Sequence, residues 1–370
     1  MTQVRSKAPD FGGLASSAEL EPQLKAQRRA VDFDTFDIHI KQLVSSLDEG
    51  QIYISPPYQR KFRWLPRQIS QLIESILLGI PVPSLFMATN ADNTWEVVDG
   101  VQRLSAIVKF AGSESLRSKL GLNGQHVLGD LEKLTKFNGY TIDMLPPSLQ
   151  LFFLTRPAKV ITLNDKSDAI VRYDLFERLN TGGVALSEQE IRDCVFQGTF
   201  ANKLDEWSKR DDFRTAVKLT PLQQRDATGE ECVLRFFAFL HSYKQFDHSV
   251  TAFLNRYMDE ASKQFDYVAG EKIFVNTFRE LARVLPSGIR RPDRLGTTSL
   301  ILYEGVSVGA ALALQTTNRL NANSIEEWLG SDELRRYTTG ATNSKSAVKG
   351  RIEFCRDRFL GKPYVSKSAK

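Results

Sequence analysis

The sequence predicts an α+β protein, an α/β unit near the N-terminus followed by a mostly α-helical C-terminal part. Three observations carry that expectation. Residues 37–113 alternate between strand and helix periodicities. Beyond about residue 220 only helical spacing is legible. Neither a repeat period nor a long linker separates the two regions. A length of 370 residues fits two domains at roughly 150 residues each. Hydrophobic residues at 42% and charged residues at 25% are ordinary globular values and exclude wholesale disorder and fibrous architectures. The expected division is a flexible leader over 1–30, an α/β domain over 31–200, and a helical domain with a basic end over 201–370.

Along the chain, Ile38, Leu43 and Leu47 fit a short helix over 37–47. Residues 51–57 alternate Ile52 and Ile54 with polar partners and stop at Pro56-Pro57, a strand closed by proline. Pro66 stands where a helix can begin. Ile69, Leu72, Ile73, Ile76, Leu77 and Ile80 follow it at helical spacing and define one broad apolar face. Gly79 and Pro81 mark its end. Residues 84–89 and 94–98 read as strands, and Asn90-Ala91-Asp92-Asn93 between them has the chemistry of a hairpin turn. The second strand stops at Asp99-Gly100, after which Leu104, Ile107 and Val108 resume helical spacing. Residues 159–163 predict a further strand. A helix from about residue 167 carries Val171, Leu175, Phe176 and Leu179 on one face and stops at Asn180-Thr181-Gly182-Gly183. Ser187-Glu188-Gln189-Glu190 is a capping box that opens the next helix. Val233, Phe236, Phe237 and Leu240, then Phe274, Phe278, Leu281 and Leu285, mark later helices.

Several function classes are excluded by what the chain lacks. Cys194, Cys232 and Cys355 lie far apart, and His39, His126, His241 and His248 lack zinc-ligand spacing, which argues against a disulfide framework and a Cys/His zinc site. No P-loop, Rossmann glycine fingerprint, H-E-x-x-H or G-x-S-x-G motif occurs. No secretory signal follows the first basic residues, and the apolar run 300–314, interrupted by Glu304, is too short for a bilayer. The expectation is a cytoplasmic protein without a membrane partner.

The net charge is +5, but residues 331–370 hold ten Lys/Arg against four Asp/Glu. A basic end of this kind suits a polyanion such as DNA, with Arg356 and Arg358 as candidate contacts, and equally suits a solvated tail.

Three short segments carry possible chemistry. In Asp99-Gly100-Val101-Gln102-Arg103 a strand turns into a helix. Gly100 permits a positive φ, the first helical amides and the helix dipole favour an anion, and Arg103 offers a planar fork to phosphate oxygens. Gln102 can donate or accept, and Asp99 could hold the Mg²⁺ of a nucleotide. The ordinary alternative is an Asp-Gly turn with an exposed arginine. Tyr58-Gln59-Arg60-Lys61-Phe62-Arg63-Trp64 interleaves cations with aromatics, as phosphate contact and base stacking require, or folds its rings onto the domain. Phe176-Glu177-Arg178-Leu179-Asn180-Thr181-Gly182-Gly183 ends in a loop whose amides could close over an anion, or is a glycine helix cap.

Taken in order, Pro-Pro-Tyr-Gln-Arg-x-x-x-Trp, Gly-Ile-Pro-Val-Pro-Ser, Val-Asp-Gly-Val-Gln-Arg-Leu and Phe-Glu-Arg-Leu-Asn-Thr-Gly-Gly resemble the N-terminal domain family of GmrSD-type restriction endonucleases over about residues 37–200. The resemblance implies a ParB/sulfiredoxin-like fold that binds, and often hydrolyses, a nucleotide in bacterial defence against phage DNA. The family motif D-G-Q-Q-R maps onto Asp99 to Arg103, with Val101 in place of the first Gln. Asp99, Gln102 and Arg103 would then do the phosphate and metal work, with Mg²⁺ on Asp99. Gln59, Arg60, Gly100 and Asn180 would line the same nucleotide site. Arg63, Trp64, Arg356 and Arg358 are the DNA candidates. Many family members continue into an HNH-type nuclease, but neither His241 nor His248 sits in an H-x-x-P setting. The expected function is therefore a nucleotide-dependent DNA sensor or regulator, with a separate effector nuclease or toxin. A stand-alone nuclease and a non-catalytic nucleotide-gated module are the alternatives. On this reading Arg103→Ala weakens nucleotide binding and leaves thermal unfolding nearly unchanged.

Overall fold

The computed structural model of the chain describes residues 20–22, 24–25, 32–54, 64–90, 92–163, 169–179, 186–293 and 296–363. Its N-terminal part is built on a five-stranded mixed sheet of order β1-β5-β3-β4-β2. Strand β1 (Phe33–His39) runs along one edge, antiparallel to β5 (Pro157–Leu163), with Phe33 opposite Leu163 and His39 opposite Pro157. Only Ile38 of β1 is buried, so the strand leaves no hydrophobic period in the sequence. The helix expected from residue 37 is the end of this strand followed by α1 (Ile40–Asp48), whose Ile40, Leu43 and Leu47 face the core.

The other edge is β2 (Ile52–Tyr53), parallel to β4. The rest of the expected 51–57 strand, from residue 55 on, lies outside the described residues. Helix α2 (Pro66–Leu78) has proline as its first residue, and its entry is fixed by Leu65 N–H donating to Gln68 Oε1 at 2.8 Å. Gly79 closes it in the left-handed conformation, φ +71°. Ile69, Leu72, Ile73, Ile76 and Leu77 are buried as their spacing predicts. Ile80 is exposed, because the helix stops before reaching it.

Strands β3 (Leu85–Thr89) and β4 (Trp95–Asp99) form the expected antiparallel hairpin. In its turn Asp92 Oδ1 accepts from the Thr94 amide at 3.1 Å, and Asn93 takes φ +62°. The register shifts between Phe86, opposite Asp99, and Met87, opposite Val97. This bulge redirects the chain one residue before Asp99. Strand β5 runs parallel to β3 and completes the sheet. Helices α3 (Val101–Ala111), α4 (Glu114–Lys119) and α5 (Pro147–Leu154) follow or flank the hairpin, and α6 (Ala169–Leu179) and α7 (Glu188–Val195) follow β5. The predicted capping box is formed at α7: the Glu190 amide donates to Ser187 Oγ at 3.1 Å, and the Ser187 amide donates to Glu190 Oε2 at 2.8 Å.

The remainder is helical: α8 (Thr199–Ser208), α9 (Asp211–Ala216), α10 (Thr228–Ser242), α11 (Val250–Lys263), α12 (Tyr267–Val284), α13 (Leu300–Leu314), α14 (Ile325–Gly330), α15 (Asp332–Thr338) and α16 (Lys345–Phe359). Trp207 anchors an aromatic cluster, with ring centroids 5.2 Å from Phe237 and 5.6 Å from Phe274. Each such ring removes about 150–250 Å² from water, so this cluster adds substantially to the burial that holds the helices together. Helices α13 and α16 approach closely because Gly309 has no side chain. A Cβ there would lie 2.7 Å from the Arg356 nitrogen and the Cys355 Cβ. One buried cluster runs from Ile38, Val101 and Val160 through Phe237 to Val348, crossing residue 200 without a break. A second, smaller one lies among α1, α2, α3 and α5. The apolar run at 300–314 is α13, most of it buried, and among the described residues no helix is long and apolar enough to cross a membrane.

Candidate functional site

The Asp-Gly turn forms where the sequence places it, between β4 and α3. Gly100 has φ +97°, the left-handed region that glycine enters without strain, and its missing side chain leaves room for Leu85. A Cβ at Gly100 would collide with the Leu85 side chain and lie 3.4 Å from Arg103 Cζ. The first helical hydrogen bond runs from the Leu104 amide to the Gly100 carbonyl at 2.8 Å. The amides of residues 101–103 precede it, at the electropositive end of the helix.

Arg103 does not project into solvent. Its side chain is 14% exposed and lies back over the turn. One terminal nitrogen donates to Asp99 Oδ2 at 2.5 Å, and the other donates to the carbonyls of Pro83 and Ser84, the latter at 2.8 Å. The guanidinium therefore closes a clamp between the α2–β3 connection and the end of β4. Asp99 remains 32% exposed, so water or a ligand reaches its carboxylate. Val101 is buried in the core between sheet and α3. The position where the family motif has its first Gln thus points inward here, and the polar group is absent from the packing interior. Gln102 is half-buried on the first turn of α3.

The structure unites Asp99, Gly100, Gln102 and Arg103 at this turn. Gln59, Arg60, Arg63 and Asn180 lie outside the described residues. Trp64 is half-buried and packs against the smaller core beside α2, so its ring takes part in the domain. Arg356 and Arg358 lie on α16, far along the chain from the turn. Arg356 Nε donates to Asp357 Oδ1 at 2.9 Å, and the Arg358 guanidinium lies over the Phe354 ring, 5.2 Å from its centroid. Both are half-buried. The exposed cations of this segment include Arg336, Lys345 and Lys349.

A feature invisible to local sequence reading is a cleft of about 1170 Å³ between the tip of the β3–β4 hairpin and helices α6, α7, α8 and α10. Its carboxylates include Glu96, Glu190, Asp193, Asp205 and Glu230, which outnumber Arg172, Lys209 and Arg225. Burial at the cleft wall pushes Asp193 up to about 8, and neighbouring Glu230 and Glu190 add repulsion against the 2.9 Å hydrogen bond from Gln189. Burial, with Asp205 alongside, pushes Glu230 up to about 7. These acids come from four different elements, so no spacing in the sequence signals them. An acid-rich cleft disfavours a polyphosphate. Among the described residues no group of three or more His, Cys, Asp or Glu side chains is placed to hold a metal ion. A divalent cation at the turn would have Asp99 as its protein ligand and take its other oxygens from phosphate and water.

A search of curated proteins found no match to the chain. Residues 40–197 match the family described as GmrSD restriction endonuclease, N-terminal domain, a span that begins at α1 and ends just after α7. It contains the hairpin, the Asp-Gly turn and the capped α7. The segment 40–197 is thus a GmrSD-type restriction endonuclease N-terminal domain, and that membership implies a role in a restriction system.

Proposed function

We propose that the chain is the nucleotide-dependent DNA-sensing or regulatory component of a bacterial anti-phage restriction system, and that the turn from Asp99 to Arg103 is its nucleotide site. The observation that supports this most is the turn itself: a left-handed Gly100 joins a strand to a helix inside the family segment and holds an acid and a guanidinium side by side. Arg103 and Gln102 are the phosphate ligands, and Asp99 is the Mg²⁺ ligand. Gln59, Arg60 and Asn180 are the further ligands that the family resemblance assigns. When bound, Mg²⁺ supplies neutralisation of the phosphate charge. The guanidinium that now holds the Pro83 and Ser84 carbonyls would turn toward phosphate, so nucleotide binding loosens the start of β3. DNA meets the exposed cations of α15 and α16, and cleavage is the work of a separate effector chain.

The test is titration of the full chain with each NTP and Mg²⁺, followed by phosphate release with and without phage DNA. Binding lost in Gln102→Ala and Arg103→Ala supports the site. Absence of binding by every NTP at millimolar concentration refutes it. One observation favours a second reading, a clamp that binds nucleotide without hydrolysing it: the inward-facing Val101 leaves the turn one polar side chain short of the family motif. Binding without phosphate release selects that reading. Plasmid nicking that survives removal of nucleotide would select the nuclease instead.

A further inference from the structure

The largest fully buried side chains of the molecule include two arginines, Arg192 on α7 and Arg351 on α16. They are the outermost arginines of one chain of alternating charges, which Glu188, paired with Arg192 Nη2 at 2.9 Å, continues toward the surface. Arg192 Nη1 donates to Glu231 Oε2 at 3.3 Å, Arg235 Nη2 meets Glu231 Oε1 at 2.6 Å, and Arg235 Nη1 donates to Glu304 Oε1 at 2.5 Å. The other oxygen of Glu304 accepts from Arg351. Glu304 is 1% exposed and both terminal arginines are 0% exposed. The series crosses α7, α10, α13 and α16 without an intervening apolar residue.

At its first end the chain reaches α6, the helix that carries the Phe176–Leu179 motif. The Arg192 guanidinium lies over the Tyr173 ring of α6 at 5.8 Å, and Arg192 Nε donates to Asn255 Oδ1 of α11 at 2.7 Å. At its second end Arg351 Nη1 also donates to the Thr342 carbonyl at 2.7 Å, fixing the segment that leads into α16. Buried ion pairs are a costly way to fill a core, and apolar residues of similar size usually pack as well or better. What ion pairs provide is registry, since each carboxylate here is shared between two arginines and neither helix can slide without breaking a pair.

We infer that this buried series couples α6 and α7 of the family domain to α16, so that the basic surface on α16 moves and loosens together with the helix bearing the Phe176–Leu179 motif. Its use as a relay for nucleotide rests on the proposed function; the coupling itself does not. Glu304 is a positioning residue, because it bridges Arg235 of α10 and Arg351 of α16.

Hydrogen–deuterium exchange of the full chain, resolved by mass spectrometry, tests this. Glu304→Gln removes the charge shared by Arg235 and Arg351 and keeps the shape. Coupling predicts roughly tenfold faster exchange at α16 and also at α6 and α7. Val348→Ala weakens the fully buried packing of α16 without touching a charge, and is expected to speed exchange in α16 alone. Faster exchange confined to α13 and α16 in Glu304→Gln overturns the inference. So does equal spreading to α6 in Val348→Ala, because general loosening would then explain both. If Glu304→Gln does not fold, Arg351→Lys keeps the charge but loses the two-pronged fork, and the same pattern is expected at smaller amplitude. Exchange unchanged at α6 and α7 in that variant overturns the coupling as well. A separate arm adds Mg²⁺ and NTP to the wild type. Coupling in the variants with no nucleotide effect on either helix would sink the nucleotide reading and leave the coupling standing.

Discussion

Replacing Arg103 by alanine removes two hydrogen bonds to main-chain carbonyls and one ion pair in a single step. Hydrogen bonds from a charged donor contribute about 1.5–3 kcal/mol each when buried. Full values do not apply here, because Pro83 is exposed, Ser84 is half-buried and Asp99 is 32% exposed. Water can therefore take over part of each interaction, and a net loss of about 2 kcal/mol is expected. That corrects the expectation from sequence that Arg103→Ala leaves unfolding nearly unchanged, which assumed a guanidinium free in solvent. Equilibrium urea unfolding at pH 7 measures the loss, and Asp99→Ala with the double variant completes a cycle. A coupling of about 1 kcal/mol between the two positions is expected. Arg103→Lys recovers less than half, since a point charge cannot reach three acceptors at once. An Arg103→Ala variant within about 0.5 kcal/mol of wild type refutes the clamp. It would mean that the side chain stands free in solution, as the sequence alone suggests.

Gly100→Ala forces a residue with a Cβ to φ +97° and against Leu85, so a loss of about 1–3 kcal/mol in urea unfolding is expected, and a neutral result would contradict the turn geometry. Asp193 and Glu230 have folded pKa values raised to about 8 and about 7 from ordinary values of 3.8 and 4.5. Their contribution to stability is fully present below those ordinary values and is lost as pH rises through 7 to 8. Asp193→Asn should flatten that decline in unfolding measured from pH 5 to 9, and an unaltered slope counts against a desolvated Asp193 carboxylate. Lys345→Ala combined with Lys349→Ala should lower DNA affinity and reduce its salt slope by about two, whereas Arg356→Ala, already paired with Asp357, should change stability more than the slope. The reverse ranking would move the DNA surface away from the exposed face of α16.

The division between what the sequence shows and what it hides follows the range of the interactions concerned. Helix α2, the β3–β4 hairpin and the capping box at Ser187 are set by residues within a few positions of each other, and each forms as its local pattern dictates. Strand β1 is hidden because an edge strand with one buried residue has no period to detect. The candidate site divides the same way. Gly100 at a strand-to-helix junction is a local fact, and it is legible. The orientation of Arg103 depends on carbonyls 19 and 20 residues upstream, which no motif records. The basic C-terminal segment makes the point more sharply. Its charge surplus is real in composition, yet Arg351 is buried against Glu304, 47 residues earlier, and Arg335 is held by Asp293. Composition counts a cation wherever it stands, while a polyanion meets only the ones that the fold leaves at the surface. For this chain the exposed face of α16 is built by Lys345 and Lys349, and the buried face of the same helix holds the end of the charge series from Arg192. One helix thus carries a surface fit for an anion and an internal anchor to the family domain. If the proposed nucleotide site communicates with the proposed DNA surface, that anchor is the continuous physical route between them.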